Sequence, residues 1–240
     1  VTPQTILISI MLANNEVGTL QPLTDIAAVA RRAGVLLHTD AAQAIGKIPV
    51  NVDDVGVDLL SVAGHKFHAP PGVGALYIRR GTQLDSLIHG AGHEQDRRAG
   101  TEAVPAIVGL GVAAELAQKD LADAGAGRVC TLRDRFHDQL KETLGDRIVL
   151  NGHPDLRLPN TLNLGFVDRI GPDLLASMDN LAASSGAACH ADRAEPSAVL
   201  QAMNVPRPIA LGAVRFSLGR FNTSDQVDQA TAQVTAAVNA

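Results

Sequence analysis

Val57-Asp58-Leu59-Leu60-Ser61-Val62-Ala63-Gly64-His65-Lys66 is the stretch on which the reading of this chain turns. Val57–Ala63 is an apolar, branched run of strand length, and it stops abruptly at small and polar residues. Two upstream runs follow the same plan. Thr5–Leu12 leads into the turn-like Asn14-Asn15-Glu16-Val17-Gly18, and Val35–Thr39 leads into Asp40. Between them Thr24–Ala33 carries helix signals: Thr24 as cap, Asp25 in the first turn, Ile26, Val29, Ala30 and Ala33 on one face, and Gly34 as the stop. Apolar strands alternating with a helix predict an α/β fold, a mainly parallel sheet covered by helices, with Thr5–Leu12 as a buried strand. Ligands of such sheets bind beyond the carboxyl ends of the strands. Three successive strand ends here deliver Asn15, Asp40 and Lys66.

Farther along, Pro70-Pro71-Gly72 breaks the chain before a further strand, Val73–Arg79, and His89–Thr101 reads as a glycine- and charge-rich loop. Pro105–Leu121 is an Ala/Leu/Val helix. Arg128–Leu144 is amphipathic, with Val129, Leu132, Phe136 and Leu140 on one stripe. Short strands at Thr161–Phe166 and Val214–Leu218 follow, then a closing helix after Thr223, which has capping-box spacing with Gln226. A composition shift near Ala117–Gly127 divides the chain into domains at 1–116 and 117–240. The chain opens at Val1 and runs straight into a strand, which reads as a fragment.

Composition excludes several functions. The 240 residues are 46% hydrophobic, 19% charged and 2% aromatic, so a core is available but must be built from Ala, Val, Leu and Ile. Twenty basic against twenty-five acidic residues give a net charge of −5, which excludes a polycationic nucleic-acid binder. Stacking aromatics for single-stranded RNA are missing as well. No run approaches the roughly 20 apolar residues of a membrane span. Two cysteines, Cys130 and Cys189, cannot build a disulfide framework, and a reducing, cytoplasmic location is the default. There is no HExxH, paired CxxC, GxSxG or P-loop. The His65/His68 and His89/His93 pairs are weak metal candidates, the second broken by Gly90 and Gly92, and no metal is expected.

The strand-end residues suggest carbonyl chemistry. A lysine at the mouth of a sheet, once deprotonated, can condense with a carbonyl cofactor. Asp40 is the natural complement, because pyridoxal phosphate works through a pyridine nitrogen kept protonated by a carboxylate. Gln43 and Asn15 can donate hydrogen bonds to the ring oxygen. Cys189 follows a run of small residues, Ser184-Ser185-Gly186-Ala187-Ala188, which reads as a mobile loop, and its neighbour His190 can influence thiolate formation. Cys130, inside the amphipathic helix, reads as a packing residue.

Ala13–Gly18, His38–Gln43, Gly64–Lys66, Arg97–Glu102, Leu158–Thr161, Ser184–Cys189 and Arg215–Arg220, in this order, resemble the cysteine desulfurases among the class V aminotransferase-like enzymes. The resemblance implies fold type I, with part of the large cofactor domain followed by a small C-terminal α/β domain. It implies that Lys66 holds pyridoxal phosphate, Asp40 pairs with the pyridine nitrogen, Gln43 and Asn15 contact the ring oxygen, and His65 contacts the phosphate. Thr101 would reach the phosphate of a neighbouring subunit, implying a homodimer. Arg215 would bind the substrate carboxylate through its bidentate fork. Cys189 would take sulfur from L-cysteine as a persulfide, leaving alanine, for delivery to a sulfur-acceptor protein. The family's usual serine two residues before His65 is Ala63 here. Gly186-Ala187-Ala188-Cys189-His190 resembles the selenocysteine lyases, which makes L-selenocysteine the alternative substrate. The family's phosphate cup and ring-stacking histidine belong to a segment preceding the Asn-Asn-Glu motif. Without it this chain is expected to bind the cofactor weakly, and a non-catalytic fragment is the third reading.

Overall fold

The computed structural model describes the backbone of residues 1–185, 188–190 and 193–240, and side chains outside 186–194. The chain forms two compact units. One contains Val1–Ala13 and Gln21–Asp123, the other Asn14–Leu20 and Ala124–Ala240.

The first unit is built on a four-stranded sheet of β1 (Leu7–Met11), β2 (Leu36–Asp40), β3 (Leu59–Ala63) and β4 (Gly74–Ile78), in that order. The first three strands are parallel, and β4 runs antiparallel to β3. Register places Met11 opposite Asp40 and Asp40 opposite Ser61. The ladder continues past the strands, with Leu12 N donating to Asp40 O (2.8 Å) and Ala41 N to Ser61 O (3.1 Å). The strand ends are therefore fixed relative to one another by backbone hydrogen bonds.

Helix α1 (Leu23–Ala33) links β1 to β2 and stops at Gly34, whose φ of 66° closes a left-handed cap onto Ala30 O and Arg31 O. Its start differs from the sequence expectation. The helix begins after Pro22 with no side-chain cap, so Thr24 lies within the first turn. Including Leu23 favours a competing stripe, and Leu23, Ala27 and Ala30 are the buried residues, while Val29 is 41% exposed. Strand β1 also departs from its expected burial. It is an edge strand paired with β2 alone, and Leu7 and Met11 remain 41% and 39% exposed. After α2 (Val52–Val55) and the sheet, α3 (Val104–Ala122) buries Ala113 and Ala117 in a cluster with Phe67 and Ala69.

The second unit pairs β5 (Ile148–Leu150), β6 (Thr161–Phe166), β10 (Ala213–Ser217) and β7 (Ser184–Ser185) in an antiparallel sheet of order β5-β6-β10-β7. A separate hairpin pairs β8 (Ala188–His190) with β9 (Arg193–Glu195). The stretch read as a loop before and around Cys189 thus includes β7 and β8. Short helices α5 (Gly171–Ala176), α6 (Ala198–Ala202) and α7 (Arg207–Leu211) complete the connections.

Two long helices, α4 (Gly125–Leu144) and α8 (Ser224–Asn239), share the core of this unit with the sheet. The predicted stripe of α4 is buried in full: Val129, Leu132, Phe136 and Leu140. With few aromatics, the core gains specificity where they meet. The Phe136 and Phe216 rings pack edge to face at 5.0 Å between centroids. The Thr223–Gln226 capping box at the start of α8 is present in both directions.

Truncating Leu140, which is fully buried, to Ala should cost about 3 kcal/mol in urea unfolding through the cavity it leaves. Thr223→Ala should cost only about 1 kcal/mol, the value of a lost cap, and Thr223→Ser should restore most of it.

Candidate functional site

In the first unit the carboxyl end of β3 runs directly into a 3₁₀ turn, Gly64–Phe67. Gly64 is required there because a Cβ would come within 2.7 Å of Val73 O and 2.9 Å of Leu110 Cδ1. Phe67 is buried in the Ala69/Ala113/Ala117 cluster, and His68 ends the turn in the left-handed region at φ 73°. His65 and Lys66 are exposed between these two anchored points. The chain has four lysines. Lys47 donates to Gln43, Lys119 to Glu115 and Lys141 to Gly145 O and Asp146. Lys66 alone has no hydrogen-bond or ion-pair partner among the described residues.

Strand β2, adjacent to β3, ends in Asp40. Its Oδ1 accepts from Ala42 N at 2.8 Å, which fixes the carboxylate against the turn, and Oδ2 has no partner among the described residues. In that turn Gln43 is half-buried, and its carbonyl Oε1 accepts from Lys47 Nζ at 3.0 Å. The Gln43 amide nitrogen is thereby left as the end that can donate. Lys47 was not singled out from sequence, although its four-residue spacing from Gln43 was a usable signal. Asp40, Gln43, His65 and Lys66 thus arise from two neighbouring strand ends. Thr101 is exposed in the irregular segment before α3, with no hydrogen bond among the described residues. Ala63, at the end of β3, supplies no hydroxyl.

Asn15 belongs to the second unit. It sits in a turn organised by buried Asn14, whose Oδ1 accepts from Glu16 N (2.8 Å) and Val17 N (2.9 Å). Gly18 allows the turn with φ 77°, and a Cβ there would lie 2.9 Å from Thr161 Cβ. The carbonyls of this turn meet side chains from distant parts of the chain. Arg215 Nη1 donates to Asn15 O (2.7 Å), Asn163 Nδ2 to Glu16 O (3.1 Å) and Arg157 Nη2 to Val17 O (2.9 Å). Asn163 and Arg157 were not foreseen, and their partners lie 147 and 140 residues away in sequence. Arg215 Nε is buried without a hydrogen-bond partner among the described residues. Burial, reinforced by the Arg133 charge, lowers the Arg157 guanidinium to about 10, so it stays protonated at neutral pH.

The two cysteines differ. Cys189 is placed by its backbone in β8, and its side chain lies outside those described. Cys130 Sγ, on α4, donates to Asp134 Oδ2 at 3.4 Å and accepts from Arg133 Nη2 at 3.2 Å. Burial, more than any charge, pushes this thiol up.

The aminotransferase class-V family matches residues 1–230. A cysteine desulfurase of Gluconacetobacter diazotrophicus is 51% identical over 95% of this chain and 57% of its own length. A solved NifS-like protein superposes with TM-score 0.89 at 37% identity, covering all of this chain and 62% of the other. A structure described as SspA in complex with cysteine superposes with TM-score 0.72 at 35% identity, over 93% of this chain and 61% of its own. The chain therefore spans somewhat over half the length of the curated relatives it matches.

Because its pKa is raised, Cys130 should be alkylated slowly at neutral pH. In a Cys189→Ser variant, the iodoacetamide rate plotted against pH should have its midpoint above the ordinary thiol value of about 8.5. A midpoint below that value would contradict the burial effect.

Proposed function

The chain belongs to the aminotransferase class-V family, and we propose that the protein is a pyridoxal phosphate-dependent cysteine desulfurase that forms a persulfide on Cys189. The observation that carries this reading is the placement of Lys66 and the Asp40 carboxylate Oδ2, both without partners among the described residues, just beyond the ends of two adjacent parallel strands.

The residues fit the cofactor group by group. Its aldehyde needs an accessible amine, and Lys66 is the one lysine without a partner among the described residues. Its ring nitrogen needs a carboxylate, which Asp40 offers through Oδ2. Its ring oxygen needs donors, which the Gln43 amide supplies, with Asn15 assigned the same role. His65, beside Lys66, is assigned to the phosphate, and Thr101 to the phosphate of a second copy in a homodimer. When bound, pyridoxal phosphate supplies the electron sink.

The rest falls to the protein. Arg215 orients the substrate by its carboxylate, and its buried Nε, without a partner among the described residues, supports that role. The Cys189 thiolate attacks the substrate sulfur, so that an S–S bond forms as the C–S bond breaks. Carbon keeps the electron pair and is protonated to alanine, and no external oxidant is needed. Cys130 is a poor substitute, because burial holds it as a thiol at neutral pH. A sulfur-acceptor protein then receives the persulfide, and a reducing cytoplasm suits a carrier thiol of this kind.

The test is alanine release from L-cysteine and from L-selenocysteine by the wild-type chain, Cys189→Ser, Cys130→Ser and Lys66→Ala. Desulfuration should fall at least about a hundredfold in Cys189→Ser and Lys66→Ala, as expected for loss of a nucleophile or cofactor anchor. Cys130→Ser should remain within about twofold. A preference for selenocysteine by orders of magnitude, retained in Cys189→Ser, would instead make the protein a selenocysteine lyase. No turnover of either substrate at saturating cofactor would leave the chain non-catalytic by itself.

A further inference from the structure

The turn that carries Asn15 is held more completely than a surface turn requires. Every carbonyl from Asn14 to Gly18 accepts a hydrogen bond within the second unit. Asn14 O accepts from Gly18 N (3.1 Å) and Gly18 O from Leu158 N (2.9 Å). The three between them are taken by the side chains of Arg215, Asn163 and Arg157. Beyond the turn, Thr19 Oγ1 accepts from His153 N at 3.0 Å and Leu20 N donates to Leu156 O at 2.9 Å.

The holding groups are themselves rigid. Asn163 is fully buried in β6, and its Oδ1 accepts from Asn151 Nδ2 at 2.8 Å. That bond fixes which end of the Asn163 amide faces Glu16 O. Arg157 is 6% exposed, and its Nη2 also reaches Asn151 O at 3.3 Å. Val17, 2% exposed, packs with Leu200, Ala210 and Ala213. Against this fixed backbone, the Asn15 side chain is exposed and has no hydrogen-bond partner among the described residues. A short side chain on an immobilised Cα, with its own amide unspent, is pre-organised to bind rather than to stabilise the fold.

We propose that Asn163 and Arg157 are positioning residues: by holding Glu16 O and Val17 O they fix the Asn15 amide in the orientation in which it donates to the cofactor's ring oxygen. Arg215 contributes the third hold through Asn15 O, but it is assigned to substrate as well, whereas Asn163 and Arg157, which also bond to Asn151, have no assigned ligand. The inference rests on the reading of Asn15 as a cofactor contact. It adds to Asn15 two buried residues of the second unit that touch no ligand.

The visible absorption band of protein-bound pyridoxal phosphate reports on the ring oxygen, and its pH midpoint is the readout. At saturating pyridoxal phosphate the whole chain would be compared with Lys66→Ala, Asn15→Ala, Asn163→Asp, Arg157→Met, Arg157→Lys and the distant cap variant Thr223→Ala. Asn163→Asp keeps the acceptor for Asn151 and loses the donor to Glu16 O. Arg157→Met keeps the apolar stem and removes the donors. Arg157→Lys, which keeps the charge and a single donor nitrogen in place of the guanidinium fork, carries the test should the Met variant not fold. The expected result is a midpoint shift in Asn163→Asp and Arg157→Met in the same direction as in Asn15→Ala. Cofactor affinity should weaken about fivefold in each, the scale of one lost hydrogen bond. Arg157→Lys should recover most of both, and Thr223→Ala should move neither. A shift in Asn15→Ala with none in the Asn163 and Arg157 variants overturns the positioning role and leaves the cofactor reading standing. An equal shift in Thr223→Ala also overturns it, because the band would then follow stability alone. A wild-type spectrum identical to that of Lys66→Ala overturns the cofactor reading, and the positioning role with it.

Discussion

Parallel pairing in register is the constraint on which the first unit depends. Once β1, β2 and β3 run the same way, their carboxyl ends must lie along one edge of the sheet. The backbone bonds Leu12 N–Asp40 O and Ala41 N–Ser61 O then fix how far each chain travels before it turns. Asp40 leaves β2 and Gly64-His65-Lys66 leaves β3 at neighbouring points because of this register. A slip by one residue would reverse every side chain of a strand. It would turn Asp40 to the other face of the sheet. The burial of Phe67 extends the same control into the turn, so that Lys66 is exposed without its backbone being loose.

The second unit reaches a similar end by other means. Its sheet is antiparallel, and order comes from a core of Phe136, Leu140, Leu164, Phe166 and Phe216 between the sheet and its two long helices. On this frame β6 and β10 present Asn163 and Arg215, whose residues pair directly across the ladder. Both side chains donate to the turn of residues 14–20, which the chain contributes to this unit between two segments of the other. Side-chain donors aimed at backbone carbonyls hold that turn where a regular element is missing.

What the sequence made legible was local. The strand runs, the Gly34 stop, the α4 stripe and the Thr223 capping box each depend on residues a few positions apart, and each was readable from spacing. The α1 face was misjudged because Leu23 and two alanines offered a stripe as valid at 100° per residue as Ile26 and Val29. The exposure of β1 was not legible, since an apolar run carries no mark of whether it will be an edge. Of the candidate site, Asp40, His65 and Lys66 were visible because strand ends are visible. Asn163 and Arg157 were not. Their partners lie about 140 residues away, and nothing short of the folded sheet reveals them.

On the proposed function, the sheet edge singles out Lys66 among four lysines as the amine for pyridoxal phosphate. Borohydride fixation of the cofactor on the whole chain, followed by peptide mapping, tests it directly. One label per chain is expected, on Lys66, with Lys47, Lys119 and Lys141 unmodified because each is engaged elsewhere. Label distributed among the four lysines, or absent from Lys66, would contradict it.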